Sequence, residues 1–408
     1  MTNYMNQIFR NAIIYSIGNY SSKLIAILIF PIVVTYLGLE NTGKLDLITS
    51  TVAILTTFFS LNIGDAIYRW FQNKDIEEKQ MSFSNGLIIL LIMLFIVSVL
   101  YIILHMFYID LIEFLTISFF ILVSQIILSI LMHLVRGEGK VTSYTSIEVI
   151  KSILFTLLSL AVVIYTEDKL NNIFIVFVGT NIVSIILAVY GMNLKSYYNN
   201  KYVSYSNIKK LISYSIPLTI NTFSWLSFFI VNKYIILYYI GLSNNGVFAI
   251  AEKFSNGIFF LGIFYFYSLQ DYCLSSLSFQ KEKFFFVKIV KKVIIVSLIG
   301  IVALVLCSWV LMPIFFPKLV SSLFFLPWLA LAKMFIVLSG YLGIPYNYKK
   351  ETLSMSITTF SGVVISVLLS LVLINYVGVY GVCFSILAGS IFVFIVRLKY
   401  AFNFFNGK

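Results

Sequence analysis

Charge is what this chain of 408 residues has least of. Asp, Glu, Lys and Arg together make 11% of it, against about a quarter in soluble globular proteins, while 60% is hydrophobic and 17% aromatic. No water-facing surface can be built from that supply, so a sizeable soluble domain is excluded. The only two histidines, His105 and His133, fall at opposite ends of apolar runs, on opposite membrane faces, and cannot share a catalytic site. Three cysteines, Cys273, Cys307 and Cys383, have neither metal-ligand spacing nor the even number of a disulfide scaffold, and are expected as packing residues. There is no GxxxxGK[ST] phosphate loop, which excludes ATP hydrolysis of that type. Arg136-Gly137-Glu138-Gly139-Lys140 has glycines and charges without the pattern and reads as a short turn. The net charge of +12 is scattered through short loops, so no nucleic-acid partner is expected, and neither is a cofactor or metal.

What is present is a series of long apolar runs. A bilayer-crossing helix needs about 20 mostly apolar residues with its backbone bonded internally, and twelve such spans can be drawn. They are Ala12 to Tyr36, Leu45 to Tyr68, Asn85 to His105, Leu111 to Leu134, Thr145 to Tyr165, Asn172 to Met192, Ile212 to Tyr239, Gly246 to Leu269, Val293 to Met312, Leu323 to Leu342, Leu353 to Ile374 and Val379 to Val396. The first exceeds a signal-peptide apolar core and lacks a small-residue cleavage site, so it is expected to stay as a helix. The expectation is an all-α integral membrane protein in the bilayer of the cytoplasmic membrane.

The basic residues test this count, because Lys and Arg accumulate on the cytoplasmic side. With the amino terminus inside, twenty of the 28 fall in cytoplasmic segments, the last of them Arg397, Lys399 and Lys408. Only Lys44, Lys169 and Lys318 fall in outer loops, and five, Lys23, Lys151, Lys233, Lys253 and Lys333, lie within spans. Both termini are therefore expected in the cytoplasm.

The polar stretch Asn193 to Leu211 divides the spans six and six, into halves of residues 1–200 and 201–408. An even number of spans gives both halves the same orientation, a parallel repeat. Tyr36-Leu37-Gly38-Leu39-Glu40-Asn41-Thr42-Gly43 matches Tyr239-Ile240-Gly241-Leu242-Ser243-Asn244-Asn245-Gly246 at five of eight positions with a constant offset of 203. Each segment reads as a tight turn between two spans, with glycine in conformations closed to other residues.

With these stretches goes Leu61-Asn62-Ile63-Gly64-Asp65-Ala66-Ile67-Tyr68-Arg69 at the close of span 2. Together they resemble the polysaccharide exporter branch, with its O-antigen flippases, of the multidrug/oligosaccharidyl-lipid/polysaccharide (MOP) superfamily. Val231-Asn232-Lys233-Tyr234, continuing through Gly246-Val247-Phe248-Ala249-Ile250-Ala251-Glu252-Lys253, is similar to that family's junction of spans 7 and 8. There the pattern commonly has Asp in place of Asn232 and Tyr in place of Phe248. The resemblance implies a MATE-like pair of six-helix bundles with a central cavity opening alternately to each side.

Charges buried in a bilayer are costly unless they meet water or a partner, so they mark candidate sites. Ser16, Asn19 and Lys23 share one face of span 1, and Lys23 either lines an anion-binding cavity or pairs with a carboxylate such as Asp65 or Glu252. Asn221, Trp225 and Asn232 form a stripe on span 7 beside Lys233, suited to sugar hydroxyls and C–H faces or equally to interhelical hydrogen bonds. Lys333 has no acid in its own span, and Lys253 adjoins Glu252, a pair that is structural or bears on coupling. Glu148 with Lys151, and Asp65 with Arg69, read as helix pairs; Asp65 is also a coupling candidate. The lysine excess matches an anionic cargo better than an organic cation. The expected function is a flippase for polyprenyl-diphosphate-linked oligosaccharide, working alongside other membrane proteins of cell-surface polysaccharide assembly. The alternatives are a multidrug exporter, which would carry more embedded acids, and a membrane polymerase, which would present a longer outer loop.

Overall fold

The computed structural model describes residues 29–71, 75–107, 112–192, 194–275, 279–349 and 351–407. Among them every regular element is helical, as expected where backbone groups have no water to bond. Helix α1 covers residues 29–37. It is followed by α2 (Leu39–Ser60), α3 (Ile63–Phe71), α4 (Ile76–Phe107), α5 (Ile112–Gly137), α6 (Val141–Tyr165) and α7 (Lys169–Tyr190). The second part of the chain holds α8 (Tyr205–Tyr239), α9 (Leu242–Ser275), α10 (Lys283–Phe315), α11 (Leu326–Tyr341), α12 (Ile344–Lys349), α13 (Thr352–Val377) and α14 (Val379–Phe405).

Among the described residues nine helices are long and apolar enough to cross a membrane, and α2 with α3 makes a tenth, bent span. Helix α9, at 34 residues, also has the length of a span. The order of α2 to α14 follows the second to twelfth predicted spans, and most of the first lies outside the described residues. The chain is a multi-pass, all-α membrane protein. Its helices overrun the predicted spans: α4 starts at Ile76 rather than Asn85, and α14 ends at Phe405 rather than Val396. Glu, Lys and Arg end a hydropathy run without ending a helix, being good helix formers.

Span 2 is not the single helix drawn from the sequence. Leu61 and Asn62 both take left-handed backbone angles (φ 48° and 46°), and the axes of α2 and α3 differ by 57°. Ser60 Oγ accepts from the Asn62 amide at 3.3 Å, and the Asn62 side chain donates to Thr222 Oγ1 at 2.9 Å. These bonds serve polar groups that the break would otherwise strand in hydrocarbon. The motif Leu61 to Arg69 is therefore a helix break followed by a short helix.

The polar stretch after α7 is stitched to the start of α4. Asn85 donates to Tyr202 O at 2.9 Å and accepts from the Ser204 amide at 3.1 Å, while Ser84 Oγ accepts from the Asn199 amide at 2.9 Å. Nearby, burial raises the Glu138 pKa, but hydrogen bonds from Tyr197 and from Lys79, at 3.0 Å, outweigh it and hold the carboxyl below its ordinary range.

The chain forms two compact units. One contains the described residues of Ile27–Leu47 and Ser224–Lys408, the other those of Ile48–Phe223. The second is cored by Ile63, Ile67, Phe71, Leu131, Leu134 and Val135. In the first, Phe228, Phe248, Leu329, Val382 and Ile386 form one cluster, with Phe279, Phe286, Leu338, Tyr341 and Phe404 in another.

Within the first unit the eight-residue repeat acquires a physical meaning. Gly38 (φ 83°) and Gly241 (φ 103°), one repeat apart, each turn the chain between two helices. Gly43 and Gly246 let α2 and α9 touch backbone to backbone: a Cβ on Gly43 would strike the carbonyl oxygen of Leu242, and one on Gly246 that of Leu39. The contact is reciprocal, with equivalent residues meeting across a local pseudo-twofold relation. Gly246→Ala is expected to destabilise by about 1–3 kcal/mol through overpacking. Gly257→Ala on the same helix, with nothing within 4 Å of the new Cβ, is expected to stay within about 0.5 kcal/mol. Denaturant unfolding in detergent compares the two.

Candidate functional site

Four helices of the first unit bring charged side chains to one buried point. Helix α2 supplies Asp46, α8 supplies Lys233, α9 supplies Glu252 and α11 supplies Lys333. Lys233 Nζ lies 2.9 Å from Asp46 Oδ2 and 2.7 Å from Glu252 Oε2, and Lys333 Nζ lies 3.3 Å from Glu252 Oε1. Lys233 is 3% exposed and Lys333 7%, so bulk water screens the network little and each charge must be answered by its neighbours.

Aromatic faces complete the surroundings. Lys333 Nζ sits 3.4 Å from the ring centre of Phe229, and the half-buried Lys253 places Nζ 3.9 Å from that of Phe30. Such rings attract ammonium groups through their quadrupole. Lys253 acts electrostatically on Asp46, Lys233 and Glu252. Among the described residues, three ammonium groups against two carboxylates leave the group one positive charge in excess. Lys233 is held between two acids, whereas Lys333 has one carboxylate at a longer distance.

The structure thus unites Lys233, Glu252, Lys253 and Lys333 from the sequence reading. Ser16, Asn19 and Lys23 lie outside the described residues. Asn232 is fully buried, donating to Phe228 O at 2.7 Å and to Ser366 Oγ at 3.1 Å and accepting from Ser370; its amide ties α8 to α13. Trp225 stacks on Phe228 at 5.9 Å, with the Arg397 guanidinium 5.3 Å above its ring. Asn221 Oδ1 is buried with no hydrogen-bond partner among the described residues. Asp65 lies in the other unit. It does not close the expected pair with Arg69: its Oδ1 meets His133 Nε2 at 3.1 Å, while Arg69 lies over the Tyr214 ring at 5.2 Å.

Two charged residues escape the sequence reading. Asp46 sits one residue inside the predicted start of span 2, but α2 begins at Leu39, so the carboxylate is about two turns deep. Its presence inside a span is the available signal. The sequence places Arg397 among the loop charges, and the structure corrects this: α14 continues past it and Arg397 is 1% exposed. Its guanidinium donates to Ser339 O (2.9 Å), Met355 O (3.0 Å), Thr358 Oγ1 (3.2 Å) and Thr359 Oγ1 (2.7 Å). It joins α14 to α11 and α13.

A family model described as "Polysaccharide biosynthesis protein" matches residues 8–269. The chain belongs to this family. The matched region contains Asp46, Lys233, Glu252 and Lys253 and ends before Lys333. No curated protein sequence matches the chain. Among solved structures it is similar to an inward-facing multidrug resistance MATE transporter of the MOP superfamily, with TM-score 0.68 and 17% identity, covering 97% of this chain and 98% of the other. An outward-facing structure of a MATE transporter of that superfamily matches with TM-score 0.69 and 18% identity over 98% and 95% of the two chains. The MATE multidrug transporter DinF-BH gives a TM-score of 0.68 and 17% identity over 97% and 95%. At such identities the likeness establishes the fold: this member of the polysaccharide biosynthesis family has the MATE architecture.

Proposed function

We propose that the protein is a flippase that carries polyprenyl-diphosphate-linked oligosaccharide across the cytoplasmic membrane by alternating access, for cell-surface polysaccharide assembly of the O-antigen or capsule type. The observation that carries this reading is the positive excess of the buried network, Lys233, Lys253 and Lys333 against Asp46 and Glu252. Both carboxylates are engaged by lysine, which suits an anionic head group and disfavours an organic cation. Membership of the polysaccharide biosynthesis family supports the glycan side of the reading. Lys23, Asn19 and Ser16, with Asn221 and Trp225, are proposed to extend the substrate path, and Glu252 to report substrate binding to the rest of the network. The distribution of Lys and Arg supports both termini in the cytoplasm, and two six-helix halves of residues 1–200 and 201–408.

The energetics agree. A diphosphate carries roughly two negative charges, and an inside-negative potential favours their exit by about 2.3 kcal/mol per charge per 100 mV. In liposomes holding labelled lipid-linked oligosaccharide, the protein is expected to expose the glycan at the outer leaflet faster than empty vesicles do. Lys333→Met is expected to slow this at least about tenfold, equivalent to roughly 1.4 kcal/mol, while Lys333→Arg keeps most of the rate. Exposure no faster than in empty vesicles, together with expulsion of a cationic dye, would sink the proposal in favour of a multidrug exporter.

A further inference from the structure

A second charged feature lies in the other unit. Between α5 and α6 is a cavity of about 190 Å³ whose described lining includes Gln125, Ser129, Arg136, Tyr144, Glu148 and Lys151. The α5 residues recur at helical spacing on one face, as do those of α6, so two facing stripes enclose the space. From Val141 to Lys151 helix α6 rises about 15 Å at roughly 1.5 Å per residue. Tyr144 and Arg136 therefore stand near the helix ends, and Lys151 and Gln125 deep within.

His133 forms part of the wall but is committed elsewhere: Nε2 faces Asp65, and Nδ1 is 2.7 Å from Ser129 O. The remaining charges are two cations and one acid. Glu148 and Lys151, expected from the sequence to pair along α6, both line the cavity without closing an ion pair. Glu148 is the carboxylate whose field reaches Lys151, and the ammonium otherwise lies 6.0 Å from the Phe177 ring centre. An ammonium at that depth in an apolar unit calls for a further anion. Arg136, 4.6 Å above the Tyr68 ring, presents a planar fork that suits a tetrahedral oxyanion. Gln125 and Tyr144 add neutral polar groups, while the Ser129 hydroxyl donates to Ile126 O at 2.9 Å. The volume is below the roughly 300–1,000 Å³ of drug-sized pockets, so the occupant is one small group.

From this geometry we infer that the α5/α6 cavity is a phosphoryl-binding site, with Lys151 as the deep counter-charge and Arg136 at the mouth. It shares no residue with the lysine network of α8, α9 and α11 and does not depend on the identity of the transported molecule. The occupant is the phosphate of a membrane lipid head group or a soluble phosphate, which share the same chemistry.

The test is calorimetric titration of the purified full-length protein with inorganic pyrophosphate. Saturable binding is expected. Lys151→Met and Arg136→Gln are each expected to weaken it by about tenfold or more, and Lys151→Arg to stay within about threefold of wild type. The same loss is expected in a Lys333→Met background, which separates this site from the network. Repeating the titration in phosphatidylcholine nanodiscs with and without phosphatidylglycerol identifies the source. Competition by the anionic lipid points to a head group, and unchanged affinity to a soluble phosphate. Wild-type affinity in both Lys151→Met and Arg136→Gln would overturn the proposal, as would binding abolished by Lys333→Met alone or no saturable binding at all. If Lys151→Met does not fold, Arg136→Gln at the mouth carries the test.

Discussion

Lys233→Met is expected to destabilise the protein by about 3–5 kcal/mol and to abolish transport. The ammonium lies within ion-pair distance of Asp46 and Glu252, and all three side chains are buried. Its removal leaves Glu252 with Lys333 and takes from Asp46 its ammonium partner, the situation in which breaking a buried ion pair costs most. The control is the double variant Lys233→Met with Asp46→Asn, which removes one charge of each sign. It is expected to recover a large part of the lost stability, so that the two substitutions are strongly non-additive. Denaturant unfolding of wild type, both single variants and the double variant measures this coupling. A Lys233→Met protein as stable as wild type would show that Lys233 is solvated rather than held in the network.

Arg397→Met should be nearly as damaging, by about 3 kcal/mol or more, because charge-assisted bonds contribute roughly 1.5–3 kcal/mol each and are not replaced. Four hydrogen bonds to α11 and α13 disappear together. Arg397→Lys is expected to restore less than half of the loss, since an ammonium offers three donors from one atom where the guanidinium reaches its four acceptors from three separate nitrogens. The measurement decides between two readings of the residue. A loop charge that only marks topology would change stability by no more than about 0.5 kcal/mol, whereas a buried clasp gives the larger figure.

Much of the fold was legible because membrane helices obey one strong rule. A run of about 20 apolar residues must bond its own backbone, so the order of helices follows from hydropathy. The eight-residue repeat was legible too, since Gly38 and Gly241 carry left-handed angles and Gly43 and Gly246 close contacts that other residues do not meet cheaply. The break at Leu61 and Asn62 was not legible. Neither glycine nor proline marks it, and its polar groups are met by Ser60 and Thr222, the latter far along the chain.

The candidate site divides in the same way. Composition alone required an integral membrane protein, and the scarcity of charge singled out Lys233, Glu252, Lys253 and Lys333 as residues needing an explanation. Which of them meet, that Asp46 joins them, that Arg397 is a clasp, and that Asp65 faces His133 instead of Arg69 were all settled by packing. A span's hydropathy is a sum over one segment, so it reports that a charge is buried. The partner of that charge comes from another helix, placed by contacts that leave no periodicity in the sequence.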